Sequence, residues 1–297
     1  MGVKGFDIWR HPLKSSAIAA LAMALAAPAS DAATIRQPDT SFKSHRVLYD
    51  MVLRSSESGS NVADASGTMY YRFEALCDGW EVESRVALRL HYGRVGAAEV
   101  VDTTWTFSSF ENYDGDQLTY AVDHKRDGVL VEAFAGEAGK DRSGGAASFN
   151  DDETTTIDLP PGTLFPAEHL KHMLVYAKQT GGTFKQVVFD GASIDNPYKV
   201  NAYIIGPVRD SKLLARGDAH TRKPVFVGAT STRPIEDAWR IRMAYFPLFA
   251  PKTLPEFEIE VDYREDGIAE RMIQDFGDFS LDLTPARLEM LPAQTCE

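Results

Sequence analysis

The chain has only two cysteines, Cys77 and Cys296, and no apolar run longer than Ala17–Ala27. Its basic residues are outnumbered, 31 against 43 acidic, for a net charge of −12. That run is too short to cross a bilayer as a helix, so no transmembrane segment is expected. The acidic balance argues against nucleic acid, whose backbone demands clustered Lys and Arg, and disfavours simple adhesion to anionic headgroups. Nothing repeats at a fixed period, which sets aside propellers and solenoids. No G-x-S-x-G elbow, P-loop or dinucleotide fingerprint is present.

What stands at the N-terminus is a basic stretch, an apolar stretch and small residues. Lys4, Arg10 and Lys14 precede Ala17–Ala27, and both Ala27-Pro28-Ala29 and Ser30-Asp31-Ala32 suit a signal peptidase. Residues 1–32 are therefore expected to be a signal peptide, cleaved after Ala29 or Ala32. No cysteine lies near that cleavage region, which argues against a lipid-anchored N-terminus. In an oxidising compartment an even cysteine count favours a Cys77–Cys296 disulfide; the alternative is two buried, inert thiols. A bridged pair would also disfavour a cysteine nucleophile. Residues 33–44 are polar and read as a flexible tail. The rest could hold two domains, yet large all-β architectures often run to this length as one.

Period-2 alternation dominates after the tail. Trp80, Val82, Ser84, Val86, Leu88, Leu90 and Tyr92 share one face of a long strand, with Glu81, Glu83, Arg85, Arg89 and His91 on the other. The same pattern marks Val47-Tyr49-Met51-Leu53, Met69-Tyr71-Phe73, Thr103-Trp105-Phe107 and Leu118-Tyr120-Val122. It returns in Trp239-Ile241-Met243-Tyr245 and Phe257-Ile259-Val261-Tyr263. Asp114-Gly115, Asp127-Gly128, Asp190-Gly191 and Asp266-Gly267 supply turns that need positive φ. One helix interrupts the strands. Leu159-Pro160-Pro161-Gly162 is a rigid turn, Pro166 suits the first helical position, and Leu170, Met173, Leu174 and Ala177 form a stripe at helical spacing. Gly181-Gly182 ends it, giving a helix over Pro166–Lys178. The Gly- and Thr-rich stretch 138–156 and the basic stretch 209–224 read as loops. The expected fold is all-β: a large, curved antiparallel sheet with one mid-chain helix packed against it, over residues 45–297.

Candidate chemistry is sparse. Glu168, His169 and His172 lie within one helical turn, but H-x-x-H lacks the spacing and the further ligand of a zinc helix. A polar helix face is the simpler reading, with no metal or cofactor expected. Asn112, Asp114 and Asp116 alternate as in a calcium loop, yet the glycine is misplaced and no Glu follows, so a hairpin turn is expected. Asp275 and Asp278 leave open a glycosidase-like carboxylate pair. The aromatic stock is more telling. A broad sheet with one covering helix can leave part of its apolar face open as a groove, with Trp105 and Phe107 on one side and Leu170, Met173 and Leu174 of the helix on the other.

An ordered set of short motifs carries a resemblance. Cys77-Asp78-Gly79-Trp80, Thr103-Thr104-Trp105 and Leu164-Phe165-Pro166-Ala167-Glu168-His169 come first. Val188-Phe189-Asp190-Gly191, Tyr263-Arg264-Glu265-Asp266-Gly267, Asp275-Phe276-Gly277-Asp278-Phe279 and Leu291-Pro292 with Cys296 follow. The chain resembles the EipB family of periplasmic cell-envelope-integrity proteins over about residues 45–296. The resemblance implies a β-spiral fold, similar to the lipoprotein carriers LolA and LolB without matching them. It further implies a disulfide at the positions of Cys77 and Cys296, and a role in envelope stability. It supplies no catalytic residues. Two departures stand out: the basic segment 207–235 does not align, and Ala167 stands where a hydroxyl residue is expected, which loosens any account of the helix cap. The expectation is a non-catalytic periplasmic protein that binds an envelope protein or a lipid-like ligand. The rivals are an envelope hydrolase using a carboxylate pair or Glu168/His169, and a metal-dependent binding module.

Overall fold

The computed structural model describes residues 42–94, 97–150, 154–208, 225–227, 238–250, 252–292 and 294–296. The expected signal peptide, most of the expected tail and the basic stretch 209–224 lie outside the described residues. Eight strands follow one another as an antiparallel meander: β1 His45–Ser56, β2 Val62–Ala75, β3 Gly79–Arg94, β4 Ala97–Asn112, β5 Gln117–Arg126, β6 Val129–Asp141, β7 Gly144–Asn150 and β8 Thr154–Leu159. The helix α1, Pro166–Gln179, comes next. The second run is β9 Gly182–Val188, β10 Tyr198–Pro207, β11 Val225–Val227, β12 Ala238–Pro247, β13 Phe257–Arg264, β14 Ala269–Asp275 and β15 Phe279–Met290.

One sheet holds all of them, in the order β8-β7-β6-β5-β4-β3-β2-β1-β15-β14-β13-β12-β10-β9, with β11 added in parallel beside β15. The chain thus begins mid-sheet, winds outward to β8, crosses through α1 to the opposite edge and winds back to close β15 against β1. Long strands twist strongly, and a sheet this wide must coil. It remains unclosed: β8 and β9 do not pair. The crossing segment meets one of the edges instead, Leu164 donating its N–H to the Val187 carbonyl and accepting from the Phe189 N–H. This is the large, curved all-β sheet with one helix that the alternation implied, wound as the family resemblance implied.

The inward face is the one the alternation marks. Val47, Tyr49, Met51, Leu118, Tyr120, Val122, Ile241, Met243 and Val261 are all buried. The outward face carries cross-strand ion pairs such as Arg46–Glu289, Arg89–Asp102 and Arg242–Glu260. Such exposed pairs steer register more than they stabilise. The inner side chains gather into three clusters: one around β1, β2 and β13–β15, one beneath α1 and one over β4–β8.

Two expectations are corrected. The described residues of stretch 138–156 are strand rather than loop: they contain the end of β6, all of β7 and the start of β8. Its glycines hid it, because strand periodicity is read from large side chains. They are there for contact: a Cβ on Gly145 would sit 2.1 Å from the Gly139 carbonyl oxygen and 2.7 Å from the Lys140 Cα across the β6–β7 pair. Residues 42–44 are not tail either. Phe42 is buried against Phe73 and Trp80, and the Ser44 hydroxyl accepts the Ala75 N–H.

Cys77, just before β3, is bonded to Cys296 across a separation of 219 residues. The link ties the C-terminal segment to the β2–β3 turn. On loop-closure entropy alone it is worth up to about 5 kcal/mol.

Candidate functional site

The inner faces of β1–β4 and of β10 and β12–β15 do not meet everywhere. Between them lies a cavity of about 700 Å³, inside the ~300–1,000 Å³ range of small-molecule sites. Met51, Met69, Val86, Leu88 and Trp105 line one wall; Tyr198, Tyr245, Phe257, Ile259 and Leu281 line the other. The aromatic wall is ordered: the Tyr245 and Phe257 rings stack at 4.4 Å, and Tyr198 meets both edge-on at 5.9 and 5.7 Å. Burial pushes the Tyr198 and Tyr245 phenols well above their ordinary range, so both stay neutral.

Polar side chains share the lining with these residues: Ser84, Thr103, Asp190, Ser193, Asp195, Glu256 and Gln274. Ser84 is buried on the inner face of β3, and its hydroxyl has no hydrogen-bond partner among the described residues. Gln274 and Thr103 add an amide and a second hydroxyl; Thr103 bonds His124 at 2.8 Å. Of three lining carboxylates, Asp190 is spent on its own loop. It accepts the Ala192 N–H at 2.9 Å and the Asn196 amide at 2.8 Å, and burial raises its pKa. Glu256 pairs with Lys252, and Asp195 is exposed. The arrangement suits an apolar ligand with one polar group better than it suits acid–base chemistry.

Loop 189–197, between β9 and β10, bounds this cavity. Phe189 is buried against Tyr120, Phe149 and Phe165, and Gly191 lies against the Tyr120 ring, where a Cβ would come within 2.3 Å. Its φ of 68° also favours glycine. The Asp190-Gly191 pair was legible as a turn; that the turn would wall a cavity was not.

Of the five side chains expected to form a groove, only Trp105 is in the cavity wall. Phe107, two positions along the same face of β4, stacks on Trp105 at 5.5 Å and belongs to the core over β4–β8. Leu170, Met173 and Leu174 face Val200, Ala202, Ile204, Ile241 and Met243 instead. The helix covers β9 and β10 and does not lid the cavity. A short amphipathic helix beside a sheet has one apolar stripe, and here the sheet consumes it.

The helix start holds a second constellation. Glu111 on β4 accepts the Ala167 N–H at 2.7 Å and the Glu168 N–H at 2.9 Å, supplying from another strand the cap that Phe165 and Ala167 cannot. Burial lifts its pKa to about 7, while the two N–H bonds and Lys140 pull the other way. Lys140 binds Glu168 at 2.9 Å and sits 4.8 Å above the Phe165 ring. The reading of His169 as part of a polar face is corrected: it is buried, stacks on Phe184 at 5.7 Å, and has a pKa lowered to about 4 by burial. Glu168 and His169 therefore do not converge on the cavity. Among the described residues no group of three or more His, Cys, Asp or Glu could hold a metal ion. Asn112 closes a hairpin through the Asp116 and Gln117 N–H groups, and the Asp275 carboxylate accepts the Gly277 N–H of another turn.

Residues 37–292 match the EipB-like family. The cell envelope integrity protein EipB of Brucella abortus (strain 2308) is 24% identical over 239 residues, 80% of each chain. Among solved structures, a beta-barrel-like protein of the domain of unknown function DUF1849, from Brucella abortus, aligns with a TM-score of 0.71 at 21% identity. It covers 85% of this chain and 99% of that one. At that identity the likeness speaks for the wound sheet alone.

Proposed function

The chain belongs to the EipB-like family, and we propose that it is a periplasmic protein that maintains the cell envelope by binding a lipid-like ligand, without catalysing a reaction. The envelope role is supported by the name of the Brucella relative. The periplasmic location is supported by the sequence of residues 1–32 and by the Cys77–Cys296 bond. The ligand class rests on one observation: an aromatic-walled cavity of about 700 Å³ whose Ser84 hydroxyl has no partner among the described residues. An apolar chain would fill the space, and a single ester or amide would satisfy the serine.

The test is titration with a fluorescent fatty acid and with envelope phospholipid in detergent-free buffer. Wild type should bind saturably. Leu88→Trp, which fills the cavity, and Trp105→Ala, which removes part of its wall, should each weaken binding at least tenfold while melting cooperatively. Absence of saturable binding in wild type would refute the ligand reading and favour a protein-binding scaffold.

A further inference from the structure

We propose that the mouth of the cavity docks on a phospholipid surface through apolar side chains at the tips of the surrounding loops. The proposal rests on the cavity reading for its purpose, but not for its geometry.

Strand register places these loops together. Tyr198 pairs with Pro247, Tyr245 with Phe257, Asp275 with Ser280 and Arg126 with Val129. The β9–β10, β12–β13, β14–β15 and β5–β6 connections therefore all lie at one end of the sheet. Thirteen large hydrophobic residues are exposed among the described residues; four of them are on these connections and three more open β6 directly after the β5–β6 turn. Ile194, Phe249, Leu254 and Phe276 occupy the first three, and Val129-Leu130-Val131 follows the turn of the fourth. Their exposure runs from 43% at Phe276 to 75% at Leu254. A concentration of this kind calls for a partner.

The same connections supply the mouth. Phe276 itself lines the cavity; Ile194 sits between the lining residues Ser193 and Asp195; Leu254 lies just ahead of lining Glu256. Val129 pairs with Arg126, which pairs with lining Thr103. Three of the four connections thus carry cavity-lining residues themselves, and the fourth lies two strands from lining Thr103.

A lipid surface fits better than a protein face. The side chains stand on separate tips, so each can enter an interface singly, whereas a protein partner needs one continuous packed patch. Beside the exposed run at the start of β6, Lys125 pairs in register with Leu130, and Arg126, which lies 3.6 Å from the Glu99 carboxylate, pairs with Val129. That places cations beside the apolar tip, matching a phosphate layer over acyl chains. Asp195 and Glu256 lie at the same mouth, so apolar insertion and not net charge must dominate.

The purified protein is tested by co-sedimentation with vesicles of phosphatidylethanolamine and phosphatidylglycerol, and in parallel with the fluorescent fatty acid in vesicle-free buffer. Wild type should sediment with vesicles, and Leu130→Ser/Leu254→Ser should lose at least about tenfold in vesicle affinity, since one buried leucine is worth about that much. The variant should keep its melting temperature and its fatty-acid affinity. If wild type does not sediment, or the variant sediments equally well, the docking proposal is overturned while fatty-acid binding still supports the cavity reading. Vesicle binding without fatty-acid binding would overturn the cavity reading and leave docking standing. Concentration-dependent self-association abolished by the double substitution, without vesicle binding, would assign the tips to a second copy of the chain and overturn the proposal.

Discussion

Glu111 and Ala167 lie 56 residues apart, and a 2.7 Å hydrogen bond from the Ala167 N–H to the Glu111 carboxylate fixes where α1 begins. The connection between β8 and α1 thereby gains a fixed anchor on β4, in the middle of the first meander. The carboxyl that performs this is held at about 7 by burial, so the anchor titrates near neutrality.

The sign of its effect follows from the shift. The folded carboxyl binds its proton up to about pH 7, the unfolded one only up to about 4.5. Between these values the folded state holds a proton the unfolded state has lost, so stability falls as pH rises through that window. Glu111 alone accounts for about 3 kcal/mol of decline. Glu270, also raised to about 7 by burial, acts in the same direction. Glu111→Gln cannot titrate, and urea denaturation at steps from pH 4.5 to 7.5 should show a correspondingly weaker decline for the variant. Parallel curves for wild type and variant would contradict the assignment.

His169 works against this. Its folded pKa of about 4 lies below the ordinary 6.5, so the unfolded chain binds the extra proton between those values and stability rises with pH there. Its buried Nε2 has no hydrogen-bond partner among the described residues, and an apolar ring of similar size would remove that cost. His169→Phe should match or exceed wild-type stability at pH 7. Its advantage should grow by up to about 3 kcal/mol as pH falls from 6.5 to 4. Denaturation at pH 5 and pH 7 is sufficient, and an advantage that shrinks at pH 5 would refute the account.

The sheet was legible because alternation is a local property: Val47, Tyr49 and Met51 announce a buried face without knowledge of their neighbours. The helix was legible from Pro166 and its stripe. Less legible was everything that depends on what lies opposite. Glu111 looks like any strand carboxylate until Ala167 is placed beside it, and His169 looks polar until Phe184 covers it. Trp105 and Phe107 share one strand face, yet one lines the cavity and the other packs in the core. Loop 189–197 contributes to both, through Phe189 in the core and Ser193 in the cavity wall, and no periodicity records its course. β11, three residues long and parallel to β15, had no signal at all.

The Cys77–Cys296 bond should be visible as a linked peptide in non-reducing mass mapping. Cys77→Ser, Cys296→Ser and the double variant should lose similar stability, up to about 5 kcal/mol, because the same covalent link is absent in all three. A double variant much less stable than either single would mean that the side chains contribute beyond the link.

Met173 and Trp105 separate the core from the cavity most cleanly. Met173 is 1% exposed, packed among β10 and β12 residues. Truncation to Ala should cost about 2–5 kcal/mol, and Asp, which would bury an unpaired charge, should prevent cooperative folding. Trp105 borders open volume, so Trp105→Ala deletes contacts on one side only and should cost less than Met173→Ala. It should instead act on ligand affinity, which Met173→Ala should leave within about threefold of wild type, the size of a 0.6 kcal/mol effect. The two variants are to be compared by thermal melts and by fatty-acid titration on the same preparations. If Met173→Ala weakened binding as much as Trp105→Ala while still folded, the helix would have to be counted in the cavity wall after all, and the core packing of its stripe would no longer explain why those residues are apolar.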